Sequence, residues 1–196
     1  MLEKFQTYLK ERLQISDEQV ARATSCLQVR HFKKGELIVF PGDKKSDNYF
    51  VNEGLLRCYS IDEKGKEHIL QFAPENWMIS DRNSAVFGEE SIFFIDAVED
   101  TEALIVSSQF FIDIQKLIPD ILELNIKMLH NSIRFMQKRI NMLLGASAEE
   151  RYLDFINLYP NLTLRVPQWM IASYLGITPE SLSRVRKDLA KKNFKP

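Results

Sequence analysis

The stretch VPQWMIASYLGITPESLSRVRKDL, residues 166–189, reads as helix, sharp turn, helix. Ala172, Gly176 and Leu182 fall at the spacing A-x3-G-x5-L. Two helices cross tightly only where one presents a small side chain at the contact, which Ala172 supplies. The short turn needs a residue that accepts positive φ, and Gly176 is that residue. Ile171, Leu175, Ile177, Leu182, Val185 and Leu189 are spaced to form the buried face. Thr178 is placed to cap the second helix, Pro179 suits its first position, and Glu180 lies at the positive end of its dipole. Pro179, Glu180, Ser183, Arg184 and Lys187 are left on one outward face. Glu and Arg one turn apart, with Lys191 and Lys192 beyond, suit a helix inserted into a DNA major groove. An ordinary αα-hairpin with solvated charges is the competing reading.

Charge is distributed in keeping with the first reading. The chain of 196 residues has a formal net charge of −1 and no global basic field. Residues 1–145 carry 18 Lys and Arg against 22 Asp and Glu, whereas residues 146–196 carry 8 against 5. A basic end on an acidic body favours local DNA contact and repulsion elsewhere. The two cysteines, Cys26 and Cys58, are far apart and form neither a disulfide framework nor a thiolate cluster. The N-terminal MLEKFQTYLKERL has no apolar signal core, and no apolar run approaches the ~18 residues that cross a bilayer. A cytoplasmic protein with no membrane partner is expected.

Upstream, the hydrophobic period is helical to Leu27 and then changes. Ser16 is a cap signal for a helix over 17–27. Short strands follow, punctuated by Gly35, Gly42, Gly54 and Gly65: QVRHF, ELIVF, NYFV, LLRCYSI and EHILQF. Leu56–Ile61 and Glu67–Phe72 read as a hairpin, and further strands are expected at 91–98 and 103–106. Such a series argues for an antiparallel roll or barrel. A short helix is expected over 109–117. A long one follows over 120–144, with Leu122, Ile126, Leu129, Ile133, Met136, Ile140 and Leu143 alternating by four and three. That is an a/d seam. A second row, Ile121, Met128, Phe135 and Met142, runs along its flank. One row can pack on the chain's own roll. The other then needs a partner, most simply a twofold copy. Gly145-Ala146 ends this helix, and Ser147 with Glu150 forms a capping box for the next, over 148–158. The expected domains are 1–118, 119–145 and 146–196, and the fold class is α+β.

In this order, four marks resemble the cyclic-AMP receptor protein and fumarate–nitrate regulator (Crp/Fnr) family of transcription factors. They are FKKGELIVFPGDKKSDNYFVNEG, SIDEKGKEHILQF, the long helix from Pro119, and IASYLGITPESLSRVRKDL. The resemblance implies an N-terminal cyclic-nucleotide-binding-type β-roll, a dimerisation helix and a C-terminal winged helix-turn-helix. It also implies a twofold DNA operator and RNA polymerase as a partner. Matched to the family's recognition helix, Glu180 and Arg184 take the two base-reading positions. An Arg fork fits guanine O6 and N7, and a carboxylate accepts from a cytosine amino group. Thr178, Ser183 and Lys187 are candidates for phosphate contacts, and Pro179 replaces a common basic residue, so a different operator is expected. The sequence stops at Pro196, where members usually continue into a β-hairpin wing, so the wing is either reduced or cut short.

The family's cyclic-AMP site pairs a Gly-Glu with an Arg-Ser ten residues on. The matching positions here are Ser80-Asp81 and Ser91-Ile92, with Arg82 beside them. Met136-Gln137 stands in place of the polar pair that meets adenine. The phosphate-holding Arg is missing and Glu89 and Glu90 are near, so an anionic phosphate would lack its paired cation. Cyclic AMP is therefore not expected; an apolar or neutral effector, or none, remains. Iron–sulfur clusters need more thiolates than are present. His31, His68 and His130 are isolated, so no metal, haem or other cofactor is expected. A cupin-like metal-binding or enzymatic roll is the alternative, but it requires clustered His and carboxylate ligands. No catalytic triad, phosphate loop or CxxC motif is present, and an enzyme is not expected.

Overall fold

A computed structural model of the chain describes residues 2–193. The chain divides into two compact units, residues 1–61 with 70–129, and residues 62–69 with 130–196.

The first unit opens with α1 (Glu3–Lys10) and α2 (Asp17–Thr24). Ser16 caps α2 reciprocally. Its hydroxyl accepts the Gln19 N–H at 3.2 Å, and the Gln19 side chain accepts the Ser16 N–H at 2.9 Å. The strands are β1 (Gln28–Phe32), β2 (Leu37–Val39), β3 (Asn48–Glu53), β4 (Leu56–Ile61), β5 (Glu67–Ala73), β6 (Met78–Ile79), β7 (Phe94–Ala97) and β8 (Thr101–Val106). They form two four-stranded sheets, ordered β1-β8-β3-β6 and β2-β7-β4-β5.

The middle strands of the first sheet, β3 and β8, are buried on both faces, while β1 is largely exposed. Along β3 and β8 the side chains alternate between two cores. Phe50, Leu104 and Val106 pack with Phe5 and Leu9 of α1, and with Phe110 and Ile114 of α3 (Ser108–Gln115). Tyr49, Val51 and Ala103 face Leu56, Cys58 and Ile95 of the second sheet. Gly54 is required where β3 turns into β4: its φ is +99°, and a Cβ there would lie 2.5 Å from Thr101 Oγ1. Between β4 and β7, Arg57 and Asp96 form a buried two-point ion pair at 2.7 and 2.8 Å. The Arg57 guanidinium also lies 4.1 Å over the Tyr59 ring.

Two local expectations differ from the structure, and one turn was not read from the sequence. The strand expected over 91–98 begins only at Phe94, because Ser91 exchanges backbone hydrogen bonds with residues 42 and 43 instead of a ladder partner. Asn83–Phe87 forms one π-helical turn closed by Gly88 at φ +65°. Residues 162–166, expected only as a lead-in, contain the helical turn α6 (Leu162–Arg165).

α4 (Ile121–Gly145) supplies its first residues to the first unit and the rest to the second. The second unit continues with α5 (Ala148–Leu158), capped by the Ser147–Glu150 box, then α7 (Gln168–Leu175) and α8 (Pro179–Asn193). Its centre is a triangle of rings, Phe155, Tyr159 and Tyr174, with centroids 5.4, 5.4 and 5.7 Å apart. Ala172 and Leu182 are buried at the crossing of α7 and α8. Ile177, Val185 and Leu189 are half-buried instead of fully covered, because α8 turns only part of its circumference inward. No strand follows α8 among the described residues, and the end of the expected wing region lies outside them.

Candidate nucleic-acid interface and effector position

The α7–α8 turn is built from local chemistry. Gly176 sits at φ +65° and closes α7, and a Cβ there would meet Leu143 Cδ2 at 3.2 Å. Thr178 caps α8, its hydroxyl accepting the Ser181 N–H at 3.3 Å. Pro179 then takes the first helical position, where its missing N–H costs nothing.

Two arginines outside the motif secure this turn. Arg151 donates to the Leu175 carbonyl at 2.7 Å. Arg139 donates to the Tyr174 carbonyl at 3.0 Å and lies 3.6 Å over the Tyr174 ring. Both guanidinium groups thus satisfy carbonyls at the C-terminal end of α7, which have no partner within the helix. The hairpin end 67–69 adds a third clamp. The Ser173 hydroxyl donates to Glu67 O at 2.7 Å and accepts the Ile69 N–H at 3.0 Å. None of these residues was legible as functional in the sequence; the only signal is that a helix ending in left-handed glycine needs donors from somewhere.

On α8, Pro179, Glu180, Ser183, Arg184 and Lys187 are all exposed. Glu180 is held below the usual carboxylate range, first by its own backbone N–H, then by the Thr178 hydroxyl and by Arg184. It is therefore an acceptor at neutral pH. Among the described residues Arg184 donates to the Ser181 hydroxyl alone, at a long 3.4 Å, which leaves most of its fork open. Lys192 is committed elsewhere, to both oxygens of Glu149 at 2.7 and 2.9 Å.

The position that the sequence matches to the cyclic-AMP site is closed. Asp81 and Ser91 are each only 2% exposed. The Ser91 hydroxyl donates to one Asp81 oxygen, and the Asn83 N–H donates to the other at 2.8 Å. Arg82 and Ile92 are exposed, and Ser80 is half-buried. Met136 and Gln137, in the second unit, are exposed. Cys58, in the same core, is pushed up to about 12 by burial and by the Asp81 charge, so its thiol stays protonated.

Along α4, all seven seam residues, Leu122 to Leu143, are exposed, from 37% for Leu129 to 56% for Ile140. The flank row behaves differently: Ile121 is buried, and Met128, Phe135 and Met142 are half-buried. Each histidine of the roll region has its own carboxylate neighbour, His31 with Glu102 at 3.8 Å and His68 with Asp62 at 2.9 Å. Among the described residues there is no group of three or more His, Cys, Asp or Glu that could hold a metal ion. No helix among them is long and apolar enough to cross a membrane.

This architecture is a cyclic-nucleotide-binding-type roll joined through a long helix to a helix-turn-helix unit. Residues 29–116 match the cyclic nucleotide-binding domain family. The chain is 25% identical over 164 residues to the fumarate and nitrate reduction regulatory protein of Vibrio cholerae, covering 78% of this chain and 65% of that protein. FixK2 from Bradyrhizobium japonicum shares the fold at a TM-score of 0.71 and 20% identity, over 85% of this chain and 86% of that one. The Thermus thermophilus catabolite activator protein does so at 0.56 and 22%, over 93% and 88%. The chain is thus similar, over most of its length, to proteins named as regulators of the Fnr type.

Proposed function

We propose that this chain is a dimeric, sequence-specific DNA-binding transcriptional regulator whose roll does not respond to cyclic AMP. The observation that carries the reading is the α8 face: an ionised Glu180 and a largely open Arg184, one turn apart, exposed beside Ser183 and Lys187. In the major groove Arg184 reads guanine and Glu180 reads cytosine. Thr178, Ser183 and Lys187 lie against the backbone and fix register without reading sequence, and Pro179 stands at the preceding reading position. Residues 119–145 are the dimerisation element. The seven exposed apolar seam residues form a row longer than a solvated helix face would carry, and a second copy covers them by heptad packing. Twofold pairing then offers two copies of α8 to half-sites about 34 Å apart. RNA polymerase is the further partner, as for the regulators this chain resembles.

The closed Asp81–Ser91 pair supports the negative half of the reading. A buried phosphate needs a cation, and the place is filled by a carboxylate already satisfied from within. Selection of duplexes from a random pool tests the positive half. A two-half-site operator, bound more tightly than random DNA and unchanged by cyclic AMP, is expected. Equal retention of every duplex overturns sequence-specific reading. The cupin-like reading is not favoured by the relatives, which are named as regulators.

A further inference from the structure

Of the first 129 residues, 62–69 alone group with the second unit. They are the tip of the β4–β5 hairpin and the first three residues of β5. Asp62 closes this tip on itself. One of its oxygens accepts the Lys64 and Lys66 N–H groups at 2.9 and 3.0 Å, and the other lies 2.9 Å from His68 Nε2. A turn ordered by its own side chain has little freedom left to lose when it meets a neighbour.

Two side chains fasten the tip to the last turn of α7. The half-buried Ser173 hydroxyl donates to the Glu67 carbonyl at 2.7 Å and accepts the Ile69 N–H at 3.0 Å, as a neighbouring strand would. Arg139 Nη2 donates to the Ile69 carbonyl at 2.9 Å and to the Tyr174 carbonyl at 3.0 Å, so one nitrogen ties tip and helix end together. The same turn of α7 sets how the chain leaves for α8. The Gly176 N–H donates to the Ser173 carbonyl at 3.1 Å, and the Ile177 N–H to the Ala172 carbonyl at 3.0 Å.

We propose that residues 62–69 are a strap that fixes the direction of α8, and that Ser173 is a positioning residue for DNA reading that itself touches no DNA. The inference rests on α8 being the reading helix. Base contacts by Glu180 and Arg184 need placement to within about 0.5 Å. Phosphate contacts carry no sequence information and tolerate more. Loss of the strap therefore weakens operator binding more than binding to random duplexes.

Ser173→Leu removes the hydroxyl and fills the seat with a good helix former. Hydrogen exchange of the full chain without DNA reads the strap. The Ile69 amide is expected to exchange at least about tenfold faster, while the Tyr159 N–H, on the Phe155 carbonyl at 2.8 Å, keeps its rate. Gel retardation reads the consequence on the selected operator and on a scrambled duplex. Operator affinity is expected to fall at least about tenfold, with random binding held within about twofold. Ser173→Thr keeps the hydroxyl and is expected to keep both properties. Arg139→Met removes the other fastening and replaces Ser173→Leu should that variant not fold. The strap is overturned if Ile69 exchange is unchanged in a folded variant. Its positioning role is overturned if exchange rises while operator affinity stays, or if operator and random binding fall together. Wild-type protein that does not discriminate between the duplexes sinks the regulator reading and this inference with it; a discriminating wild type with an equally discriminating Ser173→Leu sinks this inference alone.

Discussion

Asp81 and Arg184 are both charged side chains that the sequence resemblance singles out as ligand positions, yet their surroundings are opposite. Asp81 is sealed in the roll, with one oxygen on the Ser91 hydroxyl and the other on the Asn83 N–H. Arg184 stands on the outer face of α8 with one long contact to Ser181. The contrast teaches that burial and exposure treat charged side chains differently. A buried polar position is closed by its own neighbours, because buried donors and acceptors must be satisfied. An outward helix face can keep its side chains open, because water satisfies them.

The largest effect that could break this comparison concerns how α8 is presented. Ile133→Glu places a charge on the exposed row of α4. It is expected to weaken self-association by more than about 100-fold, since an unpaired charge in an interface costs several kcal/mol. Sedimentation reads this, and an unchanged dimer would move the partner surface elsewhere. Next, Arg184→Ala is expected to lose about 1–3 kcal/mol of discrimination at one base pair, roughly 5- to 150-fold in specific affinity, with little change on random DNA. Gel retardation on operator and scrambled duplexes distinguishes the two.

On the closed side, Asp81→Ala orphans the Asn83 N–H, while the Ser91 hydroxyl keeps the Phe93 carbonyl at 2.9 Å. It is expected to destabilise the fold by about 1 kcal/mol. Chemical denaturation measures this, and equilibrium dialysis is expected to find no cyclic AMP bound before or after the change. The smallest effect belongs to Lys187→Ala, which should weaken specific and random duplexes alike and reduce the salt slope by about one. Cys58 offers a check on how tightly the roll is sealed. With its thiol raised to about 12, an aromatic disulfide reagent near neutral pH should label the exposed Cys26 in the native protein, and Cys58 only on unfolding.

The acid side of the stability profile follows from the carboxylates. Asp62 is lowered chiefly by His68, Asp100 by the Lys34 N–H, Glu150 by the Ser147 N–H and Glu180 by its own N–H. A depressed folded value means stability that is present above the unfolded carboxylate range and lost as pH falls through the folded values. All four contributions are therefore in place at neutral pH and fade only in acid.

What the chain determined by itself was whatever rests on local periodicity and caps. Ser16, Ser147, Thr178 and Gly176 sit where their chemistry requires, since capping and left-handed turns depend on neighbours a few residues away. The strand series, the seam and the outward α8 face were legible for the same reason. Contacts between distant residues were not. The Arg57–Asp96 pair, the closure of Asp81 on Ser91 and the clamping of α7 by Arg139, Arg151 and Ser173 join positions that carry no shared periodic signal. Only the tertiary structure decided which polar groups would be buried together, because burial is what obliges a donor to find its acceptor.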